Sequence, residues 1–179
     1  MATSAPASTL DVQRLGSVSA AQLQALADVL IDCVEGGASV SFMLPMTRAK
    51  ALAFWRRVAD DVERGERALL VAQDAQGIVG TVQVILGQPE NQPHRADVAK
   101  MLVHRRARRQ GAGAALMRAA ERAARDEGKT LLVLDTDDET AARLYARLGW
   151  QVAGTVPRYA LLPAGGECAT TYFYRELDA

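Results

Sequence analysis

An apolar strand end, Met101-Leu102-Val103, runs into a basic turn, His104-Arg105-Arg106-Ala107-Arg108-Arg109-Gln110, and then directly into an alanine-rich helix carrying Gly111 and Gly113. A helix start brings unpaired N–H groups and the positive end of the dipole, so this junction is an anion site. Two glycines let its backbone approach phosphate oxygens with no Cβ in the way. Beside a pyrophosphate cradle, three readings of the segment compete: a solvated basic loop, a nucleic-acid contact and a dinucleotide-binding turn. No aromatic interleaving or recognition helix accompanies His104–Arg109, which weighs against nucleic acid. The dinucleotide fingerprint has partial support in Gly111-x-Gly113 and in Asp135 at the end of the next strand. Against it, Leu116 stands where the third small residue belongs, and seven residues separate Val103 from Gly111 where a tight turn is needed. The long, arginine-lined loop suits a pyrophosphate better.

The pattern around this junction sets the fold class. A short strand is expected at Leu10–Leu15, then a helix from Ser19 to about Val34, stopped by Gly36-Gly37. Thr47 caps a second helix that ends at Gly65. A hairpin follows, Ala68–Gln73 and Ile78–Leu86 around Asp74-Ala75-Gln76-Gly77. A strand at Ala96–Val103 feeds the helix Gly111–Glu127, and Thr130–Leu134 reads as a buried strand. A helix from Glu139 to Leu148 precedes two last strands, Gln151–Val156 and Thr170–Arg175. The order βααβββαβαββ indicates an α/β (mixed α+β) domain. It has no internal repeat and no second domain boundary, so residues 10–179 read as one domain. Residues 1–9 lack an apolar stretch and read as a disordered terminus rather than a signal peptide.

Composition narrows the partners. The 179 residues are 49% hydrophobic and 23% charged, with 21 basic and 21 acidic side chains, so bulk charge points to no nucleic acid. Apolar runs are strand-sized, which gives no membrane span. Cys33 and Cys168 follow no metal spacing; they read as reduced thiols of a cytoplasmic protein, and no metal site is expected.

The spacing Arg108-x-x-Gly111-x-Gly113 resembles the acetyl-CoA pyrophosphate signature (Gln/Arg-x-x-Gly-x-Gly/Ala) of the GNAT N-acetyltransferase superfamily. The segment Thr140-Ala141-Ala142-Arg143-Leu144-Tyr145-Ala146-Arg147-Leu148-Gly149-Trp150 resembles that family's Asn-x-x-Ala-x-x-Leu-Tyr-x-x-x-Gly-Phe, with Asp138 at the Asn position. The element order agrees over nearly the whole chain. The resemblance implies the GNAT acyl-CoA N-acyltransferase fold, a twisted mixed sheet of about seven strands flanked by about four helices. It implies acetyl-CoA as co-substrate. Met101, Leu102 and Val103 would pair with the pantetheine arm, and Arg108, Arg109, Gln110, Gly111, Ala112 and Gly113 would carry the pyrophosphate. Arg105, Arg106 or Arg109 is the expected contact for the adenosine 3′-phosphate.

Chemistry explains the tyrosine: CoA leaves as a thiolate, and a phenol such as Tyr145 can protonate it as general acid. The acceptor arrives as ammonium and must lose a proton. His94 and His104 both fall in loops, so Asp97 and Asp135 are the candidate bases. Both can equally serve as cap or salt-bridge partners.

Several segments are similar to the tabtoxin-resistance acetyltransferases in particular: Val34–Met43, Arg95–Val103 and Leu134-Asp135-Thr136. In that subgroup Asp135 and Tyr145 match catalytic residues, and Asp97 stands where a glutamate is usual. The similarity implies a small, amino-acid-like amine as acceptor, a role in antibiotic or toxin resistance, and Glu35, Ser39, Phe42 and Met43 as its contacts. An acetyltransferase of protein N-termini or lysines and a non-catalytic acetyl-CoA sensor stay open, and a homodimer is held as a hypothesis.

Overall fold

The computed structural model describes residues 10–178; the expected disordered segment 1–9 lies outside them. The chain forms β1 (Asp11–Leu15), α1 (Ala20–Glu35), α2 (Arg48–Glu63), β2 (Arg67–Asp74), β3 (Gly77–Ile85), β4 (Arg95–Val103), α3 (Ala112–Asp126), β5 (Leu131–Thr136), α4 (Glu139–Arg147), β6 (Gln151–Leu161) and β7 (Glu167–Glu176). A short 3₁₀ turn, Arg105–Ala107, lies between β4 and α3. The strands make one seven-stranded sheet in the order β1-β2-β3-β4-β5-β7-β6. Its pairings are antiparallel except β4 with β5, so the dinucleotide-binding alternative, which needs a parallel sheet, is excluded.

A hydrophobic core lies on each face of the sheet. One packs α3 and α4 on Leu70, Val82, Val98, Leu134 and Phe173. The other packs α1 and α2 on Leu69, Val71 and Leu102, with Trp55 wholly buried at its centre. Strand alternation sorts residues between them: Ala96 and Val98 of β4 join the first, while Asp97 and Ala99 face the other way.

Three of the four α-helices begin with side-chain caps. Ser19 accepts from the Gln22 N–H in a full capping box, Thr47 accepts from Lys50, and Asp138 accepts from Thr140 and Ala141. The start of α3 has none: Gly111, left-handed at φ 86°, offers no side chain to its first amides.

The last two strands are longer than their sequence suggested. β6 continues five residues past Val156 through Pro157 and Arg158, and β7 starts at Glu167. Register breaks at Val152/Gly154 and Val156/Ala160 absorb the glycine and the proline. An edge strand tolerates both because one side of its backbone has no ladder to satisfy.

Candidate active site

The site forms where β4 and β5 separate. They pair only through Arg95, Ala96 and Asp97 against Leu131, Leu132 and Val133. From Val98 onward β4 has no partner on that side, while β5 continues against β7. The cause is local to β4. Its register with β3 breaks between Thr81 and Gln83, and Lys100 sits there at φ 51°. A bulge increases twist and bends its strand. The result is a wedge between two strands that no longer pair with each other, able to take an extended ligand as an added strand; at its mouth the Val103 carbonyl accepts from Arg108 Nε at 3.2 Å.

At the mouth of the wedge, Met101 and Val103 pack towards α3 and Leu102 towards α1 and α2. The following turn is pinned from below. Asp32 accepts from the Arg105 N–H at 2.8 Å and from its Nε at 2.9 Å. Burial pushes the Asp32 carboxyl up, but these hydrogen bonds and the charges of His104 and Arg105 hold it below its usual value. Arg106 pairs with Asp74. Of the arginines expected near phosphate, Arg105 and Arg106 are therefore occupied by carboxylates. Arg109 and Gly111 both adopt left-handed φ, at 61° and 86°, a backbone pattern that turns successive N–H groups towards a common anion. With α3 uncapped, the residues 108–113 fit a pyrophosphate. Gly113 has a second reason to be glycine: a Cβ there would sit 3.0 Å from Leu144 Cδ2 and 3.7 Å from Met101 Sδ. It lets α3, α4 and β4 meet closely beside the wedge.

Tyr145 enters from the α3/α4 face. It is 5% exposed, with its ring edge-on to Phe173 at 5.7 Å and tilted to Trp150 at 6.1 Å. Burial, then the nearby charges of Asp138 and Asp135, push its phenol well above the ordinary tyrosine value. The phenol therefore carries its proton at neutral pH and holds it more tightly than a free tyrosine does. Asp138 itself caps α4. Trp150 is anchored by its indole N–H to the buried Glu121 carboxylate at 3.0 Å, and Arg175 reaches the same carboxylate at 3.3 Å.

Asp135 and Asp97 lie on the opposite face. Asp97 is in register with Val133, two residues before Asp135, so both carboxylates share the face that Tyr145 does not occupy. Thr170 Oγ1 donates to Asp135 Oδ2 at 2.8 Å. Asp97 is drawn to the closed end of the wedge, paired with Arg95 and accepting from Gln88 Nε2 at 3.1 Å. Tyr172, in register with Asp135, donates to the Tyr159 hydroxyl at 2.8 Å. That bond, burial and the nearby carboxylates push its phenol up to about 12.

The linker between α1 and α2 reaches the β6–β7 hairpin beside this polar face. The Leu44 N–H donates to the Pro163 carbonyl at 3.0 Å, and Ser39 Oγ lies 3.7 Å from Cys168 Sγ of β7. Phe42 stacks edge-on with Phe54 at 5.3 Å. Met43 is exposed, its carbonyl accepting from Lys50 Nζ at 3.1 Å. Glu35 is placed elsewhere. It lines an open cleft of about 490 Å³ with Asp28, Asp32, His104 and Arg106, which none of Asp97, Asp135 and Tyr145 touches. The sequence reading did not single out Lys100, Ser41 or Gln83. The signal for Lys100 was a phase slip: apolar positions 96 and 98 are followed by 101 and 103.

Comparison with known proteins bears on the family and the fold. Residues 38–150 match the model of the Acetyltransferase (GNAT) family. An N-acetyltransferase from Staphylococcus aureus Mu50 superposes with a TM-score of 0.79 at 16% identity, covering 96% of this chain and 100% of that one. A GNAT superfamily phosphinothricin acetyltransferase from Sinorhizobium meliloti, solved in complex with AcCoA, gives 0.77 at 18% identity, covering 96% and 89%. A ribosomal-protein-alanine N-acetyltransferase from Brucella melitensis gives 0.76 at 21% identity, covering 93% and 99%.

Proposed function

The chain belongs to the acetyltransferase (GNAT) family, and on that premise we propose that it acetylates the amine of a small molecule by direct attack within a ternary complex. The observation that carries the small-acceptor reading is the seal between the 38–44 linker and the β6–β7 hairpin through Leu44 and Pro163. It bounds one side of the face bearing Asp97 and Asp135, where a peptide acceptor needs a groove open at both ends. Acetyl-CoA supplies the acyl group as a thioester. The uncapped α3 start and residues 108–113 hold its pyrophosphate, and the free edge of β4 at residues 101–103 aligns the pantetheine arm. Asp135, oriented by Thr170, removes the amine proton directly or through water. A backbone N–H near Leu102 faces the carbonyl oxygen, and Tyr145 protonates the departing sulfur. Asp97, tied to Arg95, acts on the charge of the cleft more than on the proton.

Ser39, Phe42 and Met43 border the acceptor, and Glu35 stands outside it. A resistance role follows if the acceptor is a toxin. The free thiols of Cys33 and Cys168 suit a cytoplasmic enzyme. No helix among the described residues is long and apolar enough to cross a membrane. β6 exposes Val152, Val156, Tyr159 and Leu161, and this reading takes it as a homodimer surface; a monomeric mass in solution overturns that part. The test of the activity is CoA-thiol release from acetyl-CoA over amino acids, β-lactam toxins, aminoglycosides and peptides. Turnover confined to peptides overturns the small-acceptor reading. No turnover with any of them despite tight CoA binding turns the protein into a sensor.

A further inference from the structure

The bulge in β4 does more than open the wedge. It leaves Lys100 in the left-handed region, which for a non-glycine residue costs conformational energy and tends to mark functional positions. A bulge also re-aims the side chain it carries. Lys100 Nζ donates to Ser41 Oγ at 3.0 Å, tying β4 to the α1–α2 linker. Ser41 is itself left-handed, at φ 75°. Two unfavourable backbone conformations therefore meet in one hydrogen bond over the acceptor face.

Lys100 forms no ion pair among the described residues. Burial lowers its pKa; the charge of Asp135 opposes that effect and the charge of Arg67 adds to it. A half-buried ammonium with no carboxylate in contact is an unfavourable arrangement that a bound anion relieves. A second donor lies beside it. Gln83 is opposite Ala99 in the β3–β4 register and wholly buried. Its carbonyl oxygen accepts from Arg67, and its amide Nε2 has no partner. Arg67 is itself paired with Asp61 at 2.9 Å, so the cation left without a carboxylate on this part of the face is Lys100, with the Gln83 amide as the spare donor. Across the wedge the sign reverses at Asp135, whose one oxygen is held by Thr170 and whose other has no protein donor among the described residues. A face that is cationic at one end and anionic at the other complements a zwitterion.

We propose that Lys100, oriented by Ser41, is an acceptor-specificity residue that binds a carboxylate of the substrate while Asp135 faces its amine. The acceptor class is then an α-amino acid or a close analogue, an amine with an anionic group a few bonds away. This rests on the small-acceptor reading above. Lys100 acts in binding and leaves the proton transfers to Asp135 and Tyr145.

The test measures CoA-thiol release with the twenty common α-amino acids and their decarboxylated amines, using the wild-type chain, Lys100→Met, Lys100→Arg and Ser41→Ala. Wild type is expected to prefer the acid over its decarboxylated amine by about 10²-fold in kcat/KM, the scale of one charge-assisted hydrogen bond. Lys100→Met should erase that preference by raising KM for the acid, with kcat within about threefold and the amine unaffected. Lys100→Arg should retain most of the preference, and Ser41→Ala should weaken it while keeping the charge. Acetyl-CoA binding and thermal melting check that each variant is folded. If acid and amine turn over equally in wild type, or if Lys100→Met slows both alike, the inference fails and the small-acceptor reading survives. If Lys100→Arg abolishes kcat, Lys100 is a proton carrier and the assignment is wrong. Activity on peptides alone removes both.

Discussion

Replacing Tyr145 by Phe separates the catalytic role of the phenol from its packing role. The ring is 5% exposed, stacked against Phe173 and Trp150, and a Phe ring fills the same space. Its hydroxyl has no hydrogen-bond partner among the described residues. Loss of the oxygen should therefore change stability by less than about 1 kcal/mol, as volume-conserving core swaps do. General acid catalysis is worth about 10²- to 10⁴-fold, or about 3–5 kcal/mol of barrier at 1.36 kcal/mol per decade. The two effects differ by severalfold and cannot be confused. The assay is single-turnover thiol release at saturating acetyl-CoA with the best amine from the acceptor screen, run beside calorimetric CoA binding and urea denaturation. Tyr145→Phe should bind CoA as wild type, unfold at nearly the same urea concentration, and lose at least 10²-fold in rate. A folded variant whose rate stays within threefold of wild type refutes the acid role and leaves Tyr145 as packing.

Further outcomes follow from other contacts. The Tyr145 phenol titrates above its unfolded value of about 10, so the stability it confers is fully present below pH 10 and is lost as pH rises towards its folded pKa. Urea midpoints at pH 8 and 10.5 should fall in wild type and fall less in Tyr145→Phe, with Tyr172 supplying the remainder. Asp32 has the opposite sign: its lowered pKa gives stability that is present above about 4 and lost as pH falls through the folded value. Asp32→Asn should cost about 1–3 kcal/mol near pH 7 by denaturation and loosen acetyl-CoA binding, with the stability gap to wild type shrinking at pH 3. Gly113→Val adds two methyls beyond a Cβ already 3.0 Å from Leu144. It should destabilise by about 1–3 kcal/mol and, by displacing α4, lower kcat as well as acetyl-CoA affinity; an unchanged kcat with weakened binding would show that α4 does not move.

Much of the fold was legible because its signals are local. Caps at Ser19 and Thr47, the glycine stops and the 3.6-residue periodicities depend on neighbours within a turn or two, and each helix formed where they placed it. The far end of β6 was not legible. Its eleven residues face solvent or pair along a single ladder, so no apolar alternation marks them. The buried Glu121 was hidden for a related reason: an acidic residue mid-helix reads as surface until Trp150, just after α4, and Arg175 of β7 reach it.

The sequence by itself determined the basic, glycine-bearing helix start at 108–113, the placement of Tyr145 on a short helix and the order of elements, because each is written in residues close along the chain. Tertiary structure decided what that junction serves. The wedge exists only because a bulge at Lys100 turns β4 away from β5, and which carboxylate lies at its open end depends on the register of three strands. The polar face beside it is built from the linker, β3, β4, β5 and β7, segments spread over more than a hundred residues. Its pattern of charge arises from side chains that no local periodicity relates, so only the folded chain brings Lys100 and Asp135 near each other.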